Sequence, residues 1–369
     1  MVDLRYWIGF NMVKGIGPVR VRRLLDHFGD LDQAWHASPD DLRAAGLDRR
    51  SCEALVAARQ GIDLDMVLER LEQAGVNVLT WESPDYPVNL RNIAQPPPVL
   101  YVRGNMTPED EWAVAVVGTR RASAYGREVA RDLGAALAAS GVTVVSGLAQ
   151  GIDIVAHRAA LDAGGRTMAV LGSGLDQIYP PEHQPAAAAI AKAGAVVSDY
   201  PLGTQPEAAN FPPRNRIISG LAKGVVVVEA DERSGALITA NFAAEQGRDV
   251  FAVPGSIRMA SCRGTNKLIQ QGAKMVLSAT DILEELNLAM VAEHQQVRAA
   301  LPADETEKRV LACLTGEPVH VDELGAQLSL PIAQVSSTLA LMELKGLVRQ
   351  VGGMNYVAAK EGRLDYRVD

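Results

Sequence analysis

The segment AVAVVGTRR at residues 113–121 decides the fold, because it runs from an apolar strand straight into a glycine and two arginines. Short valine-rich segments of the same kind recur along the chain, and alanine-rich helical stretches separate most of them. Continuous apolar strands that alternate with helices are typical of a parallel sheet covered on both faces. The sequence therefore predicts an α/β fold with a Rossmann-like domain over residues 112–280. Its expected strands are AVAVVG (113–118), VTVVSG (142–147), TMAVLG (167–172), AVVS (195–198), GVVVVEA (224–230), DVFAVPG (249–255) and KMVLS (274–278).

The charge distribution separates this centre from its flanks. The whole chain has 369 residues, 48% of them hydrophobic, and a net charge of −8, so it is long enough for two or three domains with a real core. Residues 113–280 carry 16 Lys and Arg against 13 Asp and Glu, whereas the flanks carry 20 against 31. The centre can therefore present a basic patch to phosphates despite the acidic total.

Nothing in the sequence indicates secretion or a membrane span. The start, MVDLRYWIGFN, has no basic run before an apolar stretch, and the uncharged window at residues 133–152 is interrupted by glycine and polar residues. The three cysteines, Cys52, Cys262 and Cys313, form neither a metal-binding spacing nor a disulfide framework. We expect a cytoplasmic protein without membrane contact.

The N-terminal flank, residues 1–80, is predicted to be an all-α helix-hairpin-helix domain of the SAM-like kind. KGIGP at residues 14–18 forms a tight turn between expected helices at 4–12 and 18–28, and Pro18 suits the first turn of the second. Backbone N–H groups there can bind a phosphate, with Lys14, Arg20, Arg22 and Arg23 nearby. A plain glycine turn in a helical bundle is an equal alternative. A proline-rich connector then covers residues 81–111.

The C-terminal flank is predicted to be a winged helix over residues 305–360, after an acidic linker at 281–304. Expected helices at 305–314, 321–328 and 332–345 precede a hairpin whose two-residue turn is Gly352-Gly353. The helix that would read DNA offers Lys345 as its only cation. Because this helix carries so little positive charge, a protein-contact or regulatory module is favoured over a domain that reads DNA.

Two strand ends are predicted to bind phosphates. Gly118, Thr119, Arg120 and Arg121 follow the first strand, where backbone amides and paired guanidinium donors make an anion site; exposed surface arginines are the alternative. The second strand leads into SGLAQG, which contains Ser146, Gly147 and Gly151. Asp153 and His157 follow on one helix face, where acid–base chemistry and a structural tie are both open. No spacing completes a catalytic set, and we expect no metal or cofactor.

FPPRNR at residues 211–216 is the most informative segment. Its prolines are expected to stiffen a loop, in which Arg214, Asn215 and Arg216 meet phosphates and Phe211 stacks on a base. Basic groups beside an aromatic ring hold single strands without sequence preference. Core packing of Phe211 is the alternative.

Nucleotide-hydrolysing motifs are missing. No G-x-G-x-x-G follows the first strand, and the closest match, Gly172-Ser-Gly174, has Gln at position 177. The chain contains no Gly-Lys pair and so no Walker A lysine. We therefore expect a binding protein and not an enzyme.

These segments resemble the DprA/Smf family, the bacterial DNA-processing proteins of natural transformation. The resemblance runs through VVGTRRASAYG, VVSGLAQGIDIVAHRAAL, VLGSGLDQIYP, FPPRNRIISGLAKGVVVVEA, SGALITANFAAEQGRDVFAVPG and GTNKLIQQGA, over about residues 80–278. It implies a homodimer formed mainly through the Rossmann-like domain, which binds and protects incoming single-stranded DNA and loads the RecA recombinase onto it. It also implies DNA contacts at the GTRR arginines, at Ser146-Gly147 and in FPPRNR, to which we add Lys267 of GTNKLIQQGA.

Two other classes of function remain open. The centre is also similar to phosphoribohydrolases, the Rossmann-like nucleotide-processing enzymes whose PGGxGTxxE loop carries a reactive glutamate. This chain has ERSGALIT at residues 232–239 in the similar place, without the paired glycines or that glutamate, which favours a binding protein on an enzyme-like scaffold. A winged-helix transcription regulator is disfavoured by the weakly charged reading helix.

Overall fold

The computed structural model describes residues 3–288 and, beyond them, residues 306, 309–310, 313–314, 318–328, 330–344, 348–351 and 353–358. The chain forms two compact units, Met1–Ala289 and Met290–Asp369, which are treated separately. Among the described residues, no helix has both the length and the apolar character needed to cross a membrane.

The first unit begins with helices, as expected. The predicted helices at 4–12 and 18–28 are confirmed, and Gly15 takes a positive φ of 92° in the turn between them. Arg20 donates to the carbonyl oxygen of Gly15 and pairs with Asp48, while Arg22 lies over the Trp81 ring at 4.4 Å. The elements up to the connector are α1 (Leu4–Met12), α2 (Pro18–Phe28), α3 (Leu31–His36), α4 (Pro39–Ala44), α5 (Arg49–Gly61), α6 (Leu64–Gln73), β1 (Asn77–Thr80), α7 (Val88–Arg91) and β2 (Val99–Gly104).

A parallel sheet follows, and all seven predicted strands are present. Helices connect them because the central strands are buried on both faces and need a covering layer on each side. Short 3-10 turns lie at Pro108–Glu111, Pro181–His183, Ala208–Asn210 and Ala260–Cys262. The elements are β3 (Ala113–Val117), α8 (Ala124–Ala139), β4 (Thr143–Ser146), α9 (Ile152–Asp162), β5 (Thr167–Val170), α10 (Gln184–Ala193), β6 (Ala195–Ser198), α11 (Phe211–Leu221), β7 (Gly224–Val227), α12 (Ala236–Glu245), β8 (Asp249–Ala252), α13 (Arg263–Gln270), β9 (Lys274–Met275) and α14 (Ala279–Glu285).

The sheet has nine strands in the order β1-β2-β6-β5-β4-β3-β7-β8-β9. Strands β3 to β9 pair in parallel, whereas β2 pairs antiparallel with both β6 and β1. The sheet therefore starts before residue 112, since the predicted helical region and connector each supply one strand. The predicted linker at 281–304 begins inside α14, and from residue 289 to 304 it lies outside the described residues.

One hydrophobic core joins the N-terminal helices to the sheet. It runs from Trp7 and Phe10 of α1 through Tyr101 of β2 to the central strands. The Tyr101 hydroxyl donates to Asn11 Oδ1 at 2.9 Å, and Asn11 Nδ2 donates to the Asp199 carbonyl oxygen at 3.2 Å. The helical region thus packs as part of the same compact unit.

The second unit has the predicted winged-helix elements where it is described. They are β10 (Val319–His320), α15 (Val321–Leu328), α16 (Ile332–Leu344), β11 (Val348–Gln350) and β12 (Asn355–Ala358), with sheet order β10-β12-β11. Val351 N donates to the Asn355 carbonyl oxygen at 2.9 Å, so the hairpin turn is one residue longer than the predicted pair Gly352-Gly353. Most of the helix predicted at 305–314, and Lys345, lie outside the described residues.

Candidate nucleic-acid interface

A large cleft of the first unit lies where the strand order reverses. From β3 the chain moves outward through β4, β5 and β6, then returns to place β7 on the other side of β3. In parallel sheets this switch point, at the carboxyl ends of the strands, is the usual ligand site. The cleft has a volume of about 730 Å³ and is bordered by the end of β3 with the residues that follow it (117–121), by the segment 231–239 after β7 and by the start of α11.

Buried polar contacts hold the GTRR segment in place. Thr119 N donates to the Glu229 carbonyl oxygen at 2.7 Å, and Ser123 N donates to the Glu229 carboxylate at 2.9 Å. Glu229 is only 1% exposed, and its Oε2 accepts hydrogen bonds from Ser123 at the start of α8. Gly151 has a φ of 84°, and a Cβ there would meet the Thr119 carbonyl oxygen at 2.2 Å. The predicted site residue Gly151 therefore shapes the loop instead of lining the cleft.

Three exposed guanidiniums border the cleft. Arg120 and Arg121 were predicted there, and Arg233, in the turn after β7, joins them. Across the described part of the chain, none of these three guanidinium groups forms a hydrogen bond or an ion pair with protein. They are therefore available to a phosphate ligand, to which arginine can donate two parallel hydrogen bonds.

The FPPRNR segment is helical, which corrects the predicted loop. Helix α11 starts at Phe211, and the two prolines occupy its first turn. Proline is tolerated there because the first N–H groups of a helix have no partner within the helix. The helix brings Phe211, Arg214 and Asn215 to the cleft, and Asn215 Nδ2 donates to the Gly235 carbonyl oxygen at 3.3 Å across it.

Arg214 lies at the floor of the cleft and is only 4% exposed. Its Nη1 donates to the carbonyl oxygens of Gly147, at 2.9 Å, and Val170. Burial lowers the pKa of Arg214 to about 10, an effect that nearby Asp153 opposes and Arg120 increases. The guanidinium stays charged at neutral pH, and Nη2 has no hydrogen-bond partner among the described residues.

Phe211 is only partly buried and lies among cations. The Cζ atoms of Arg120 and Arg214 lie 5.1 and 5.9 Å from its ring centroid, and the Tyr179 ring lies 5.9 Å away. These distances are those of cation–π and aromatic contacts. The ring is thus a partly exposed apolar surface beside the guanidiniums, as the stacking prediction requires.

Several predicted contact residues do not line the cleft. Arg216 points away from it, because Nη2 pairs with Asp199 at 2.7 Å and Nη1 donates to the Gln95 carbonyl oxygen at 2.7 Å. Ser146 is buried and donates to the Val116 carbonyl oxygen at 2.6 Å. Lys267 is exposed on α13 but is not among the lining residues. The predicted phosphate-binding surface of the GTRR and FPPRNR arginines therefore does not include Arg216 in this structure.

Gly147, Asp153 and His157 support the floor of the cleft. Gly147 N donates to Asp153 Oδ2 at 3.0 Å, and a Cβ on Gly147 would meet that oxygen and Arg214 Nη2 at 2.8 Å each. Burial raises the pKa of Asp153, with the positive charge of Arg214 acting against it. His157 Nδ1 lies 2.7 Å from Thr167 Oγ1, which itself donates to a carbonyl oxygen, so the ring N–H is the donor.

The sequence interpretation missed Glu229, Arg233 and Tyr179. Arg233 follows the strand that pairs with β3, so the strand order would have placed it beside the GTRR segment. Glu229 is the one acidic residue in the otherwise apolar strand segment 224–230, which was a signal for a buried partner.

Comparison with known proteins agrees with this architecture. The family described as DNA recombination-mediator protein A matches residues 77–287, and the DprA winged helix domain matches residues 294–354. Protein Smf of Synechocystis sp. is 38% identical over 95% of this chain and 98% of its own length. The DNA processing protein DprA of Bacillus subtilis is 46% identical over 60% of this chain and 75% of its own.

Two solved structures are similar over the same region. DNA processing protein A of Streptococcus pneumoniae has a TM-score of 0.69 and 37% identity, covering 77% of this chain and 99% of its own. The protein of Helicobacter pylori, whose structure concerns a unique single-stranded DNA binding mode, has a TM-score of 0.52 and 29% identity, covering 57% and 95%. With the family match over more than half of its residues, this chain belongs to the DprA/Smf family of DNA-processing, recombination-mediator proteins.

Proposed function

We propose that this protein binds single-stranded DNA in the switch-point cleft without sequence preference. The observation that carries the proposal is the meeting of free guanidiniums, on Arg120, Arg121 and Arg233, with the partly exposed ring of Phe211. The guanidiniums suit the phosphates and the ring suits a base, which every sequence offers. The single-stranded DNA binding named for the Helicobacter pylori relative supports the same ligand.

In this proposal the protein binds the DNA and catalyses no reaction on it. The acid–base candidates near the cleft are buried, and each has a hydrogen bond within the fold: Asp153 accepts from Gly147 N, His157 donates to Thr167, and Glu229 accepts from Ser123. A phosphoribohydrolase would need one of them free to act as an acid or base. Incubation with nucleoside monophosphates and with ATP should release no free base or phosphate above the level of an Arg120→Ala/Arg121→Ala variant.

In this proposal the bound strand is protected and passed to the RecA recombinase during natural transformation, in the cytoplasm. The recombination-mediator description of the matching family supports the role, and the free state of all three cysteines suits a reducing compartment. RecA assembly on strands coated with single-strand-binding protein should accelerate when the protein is added. An Arg120→Ala/Arg121→Ala variant should give no acceleration.

A homodimer through the Rossmann-like domain is part of the proposal. Large apolar side chains are exposed on the segments at and after β8 and β9: Ile257 (84% exposed), Leu277 (75%), Met275 (47%) and Met259 (41%). Grouped exposed apolar residues are typical of a protein contact. Sedimentation should give a dimer for the native chain and a monomer for Leu277→Asp; a native monomer would contradict the idea.

The winged helix is proposed to contact protein. In that unit Ile332, Leu341, Val351 and Met354 are each more than 40% exposed, which suits an apolar partner better than a phosphate backbone. A chain that ends near residue 289 retains the whole first compact unit. It should keep its single-strand affinity within about tenfold, or 1.4 kcal/mol.

Fluorescence anisotropy with single- and double-stranded oligonucleotides of one sequence, at two salt concentrations, tests the main proposal. Single strands should bind more tightly, and the affinity should fall as salt rises. Equal or tighter binding of the duplex would refute it, because a paired base cannot reach the ring of Phe211.

A further inference from the structure

A second cavity lies at the opposite edge of the sheet from the cleft. It is bordered by residues 84–89, by residues between 106 and 111, by Met168 near the start of β5 and by Leu221 at the end of α11. Residue 111 precedes β3 and Leu221 precedes β7, so this edge carries the amino ends of the parallel strands. The volume of this amino-edge cavity is about 200 Å³. Sites for whole small molecules have about 300–1,000 Å³, so the cavity suits a single side chain.

The floor of the amino-edge cavity is largely apolar. Tyr86, Met168 and Leu221 border it, and each of them is buried. Two buried polar side chains, Asn89 and Asp110, lie among them. Apolar walls with a few polar groups suit the methylene stem of a long side chain that ends in a polar head.

Asn89 presents an acceptor that the fold does not use. Its Nδ2 donates to the carbonyl oxygens of Glu111, at 2.8 Å, and Leu221, at 3.3 Å. These two bonds settle which end of the amide is the nitrogen. The side chain is only 5% exposed, and its Oδ1 has no hydrogen-bond partner among the described residues. Buried amide oxygens are generally bonded, because leaving one without a donor is costly, so Oδ1 indicates a ligand that donates.

The amino-edge cavity also carries one negative charge without a matching cation. Three carboxylates border it: Asp85, Asp110 and Glu111. Arg166 pairs with Asp110 at 2.8 Å, and Lys223 pairs with Glu111 at 2.9 Å. Asp85 is exposed, and across residues 3–288 it forms neither an ion pair nor a hydrogen bond. A ligand that donates to Asn89 and matches Asp85 is a cation.

Exposed apolar groups surround the mouth of the cavity. Val88 on its border is 56% exposed, and Trp112, next to Glu111 in the chain, is 39% exposed. Pro84 and Pro108 on the border are exposed as well. A free amine would leave these groups in water, whereas a protein surface would cover them. The cation is therefore best supplied by a side chain of a protein.

We propose that the amino-edge cavity receives one arginine side chain of a partner protein, whose guanidinium donates to Asn89 Oδ1 and to the Asp85 carboxylate. Arginine fits better than lysine, because its planar guanidinium is more weakly hydrated and can donate to two acceptors at once. Its stem packs against Met168 and Leu221, and apolar atoms of the partner cover Val88. The site is independent of the proposed function, since DNA is assigned to the other edge of the sheet and both ligands can be bound together.

Methyl NMR of the full chain, labelled at the methionine ε-methyl groups, tests the inference with defined peptides. Met106 and Met168 border the cavity and report on it, and Met106→Leu and Met168→Leu identify their signals. The capped tripeptide Ala-Arg-Ala should shift both signals in a saturable way. The same peptide with citrulline in place of arginine keeps the shape and lacks the charge, so it should bind at least about tenfold more weakly.

Asp85→Asn removes the unmatched charge from an exposed position and leaves the fold intact. Asp26→Asn changes another exposed aspartate without an ion pair in the described chain, on α2, and is the matched control. Asp85→Asn should weaken the binding of the arginine peptide about three- to fivefold, and Asp26→Asn should leave it unchanged. Both variants should bind single-stranded DNA with native affinity.

Three results would overturn the inference: no saturable shift of the two methionine signals, equal binding of the arginine and citrulline peptides, or native peptide affinity in Asp85→Asn. Putrescine that binds more tightly than the arginine peptide would overturn the assignment to a protein partner. A native chain that binds the arginine peptide as expected but no single strand would contradict the proposed function and support this site. The two proposals can therefore fail separately.

Discussion

Removing the three exposed guanidiniums of the cleft should flatten the salt dependence of strand binding. The variant is Arg120→Ala/Arg121→Ala/Arg233→Ala. These groups have no hydrogen-bond or ion-pair partner in the described chain, so the fold loses little when they are removed. Arg214 remains as the one guanidinium at the floor of the cleft.

The magnitude follows from counterion release. Each phosphate neutralised on a single strand contributes about −0.7 to the slope of log affinity against log salt. Four guanidiniums, each on one phosphate, give a slope of about −2.8, and the variant retains about −0.7. Between 50 and 200 mM salt the native affinity should then fall about 50-fold and that of the variant about threefold.

The assay is anisotropy with a labelled oligonucleotide across that salt range. Arg131→Ala removes an exposed arginine of α8 that does not line the cleft, and it is the matched control. The slope of this control should differ from the native slope by less than about 0.7, the contribution of one phosphate. A folded triple variant that keeps the native slope would refute the assignment of phosphates to this cleft.

Three further substitutions test residues that support the fold around the cleft. Gly147→Ala places a Cβ 2.8 Å from Arg214 Nη2, so melting should show a loss of about 1–3 kcal/mol and anisotropy a weaker complex; an unchanged Tm and affinity would contradict this. Arg216→Ala leaves the largely buried Asp199 carboxylate, which is 15% exposed, without its cation, and urea unfolding should show a loss of about 3 kcal/mol while the salt slope of any folded fraction is native. Burial lowers the pKa of His157 to about 3, whereas in an unfolded chain it is about 6.5. The neutral ring therefore stabilises the fold fully above pH 6.5, and this stabilisation is lost as the pH falls toward 3. Between pH 7 and 5 the free energy of unfolding of the native protein should drop about 2 kcal/mol more than that of His157→Gln, and parallel curves would contradict this.

The strands and the first helices could be predicted because each has a local signal. The valine-rich runs of β3 to β7 are buried on both faces of the sheet, and such strands are continuously apolar. Pro18 and the glycine turn before it placed the boundaries of the first two helices correctly. The α11 start was mistaken for a loop because two adjacent prolines suit either a stiff loop or the first turn of a helix.

The side-chain partners could not be predicted because they depend on strand order. Arg214 and Arg216 are two residues apart on one helix, and so they point in different directions. One faces the cleft and the other meets Asp199, a residue at the end of β6. The position of Arg233 also depends on strand order, because it lies beside the GTRR segment only through the pairing of β7 with β3. The antiparallel strand β2 begins with the apolar run Val-Leu-Tyr-Val, but the three prolines directly before it favoured a connector.

Cross-linking of a bound strand shows which segments of the chain contact DNA. Single-stranded DNA that contains a photoreactive thymidine analogue is irradiated in complex with the native protein, and the modified peptides are identified by mass spectrometry. Cross-links are expected on the start of α11, which includes Phe211, and on the segments at 118–121 and 231–239, because all three border one cleft. Cross-links confined to the N-terminal helices or to the winged helix would contradict it.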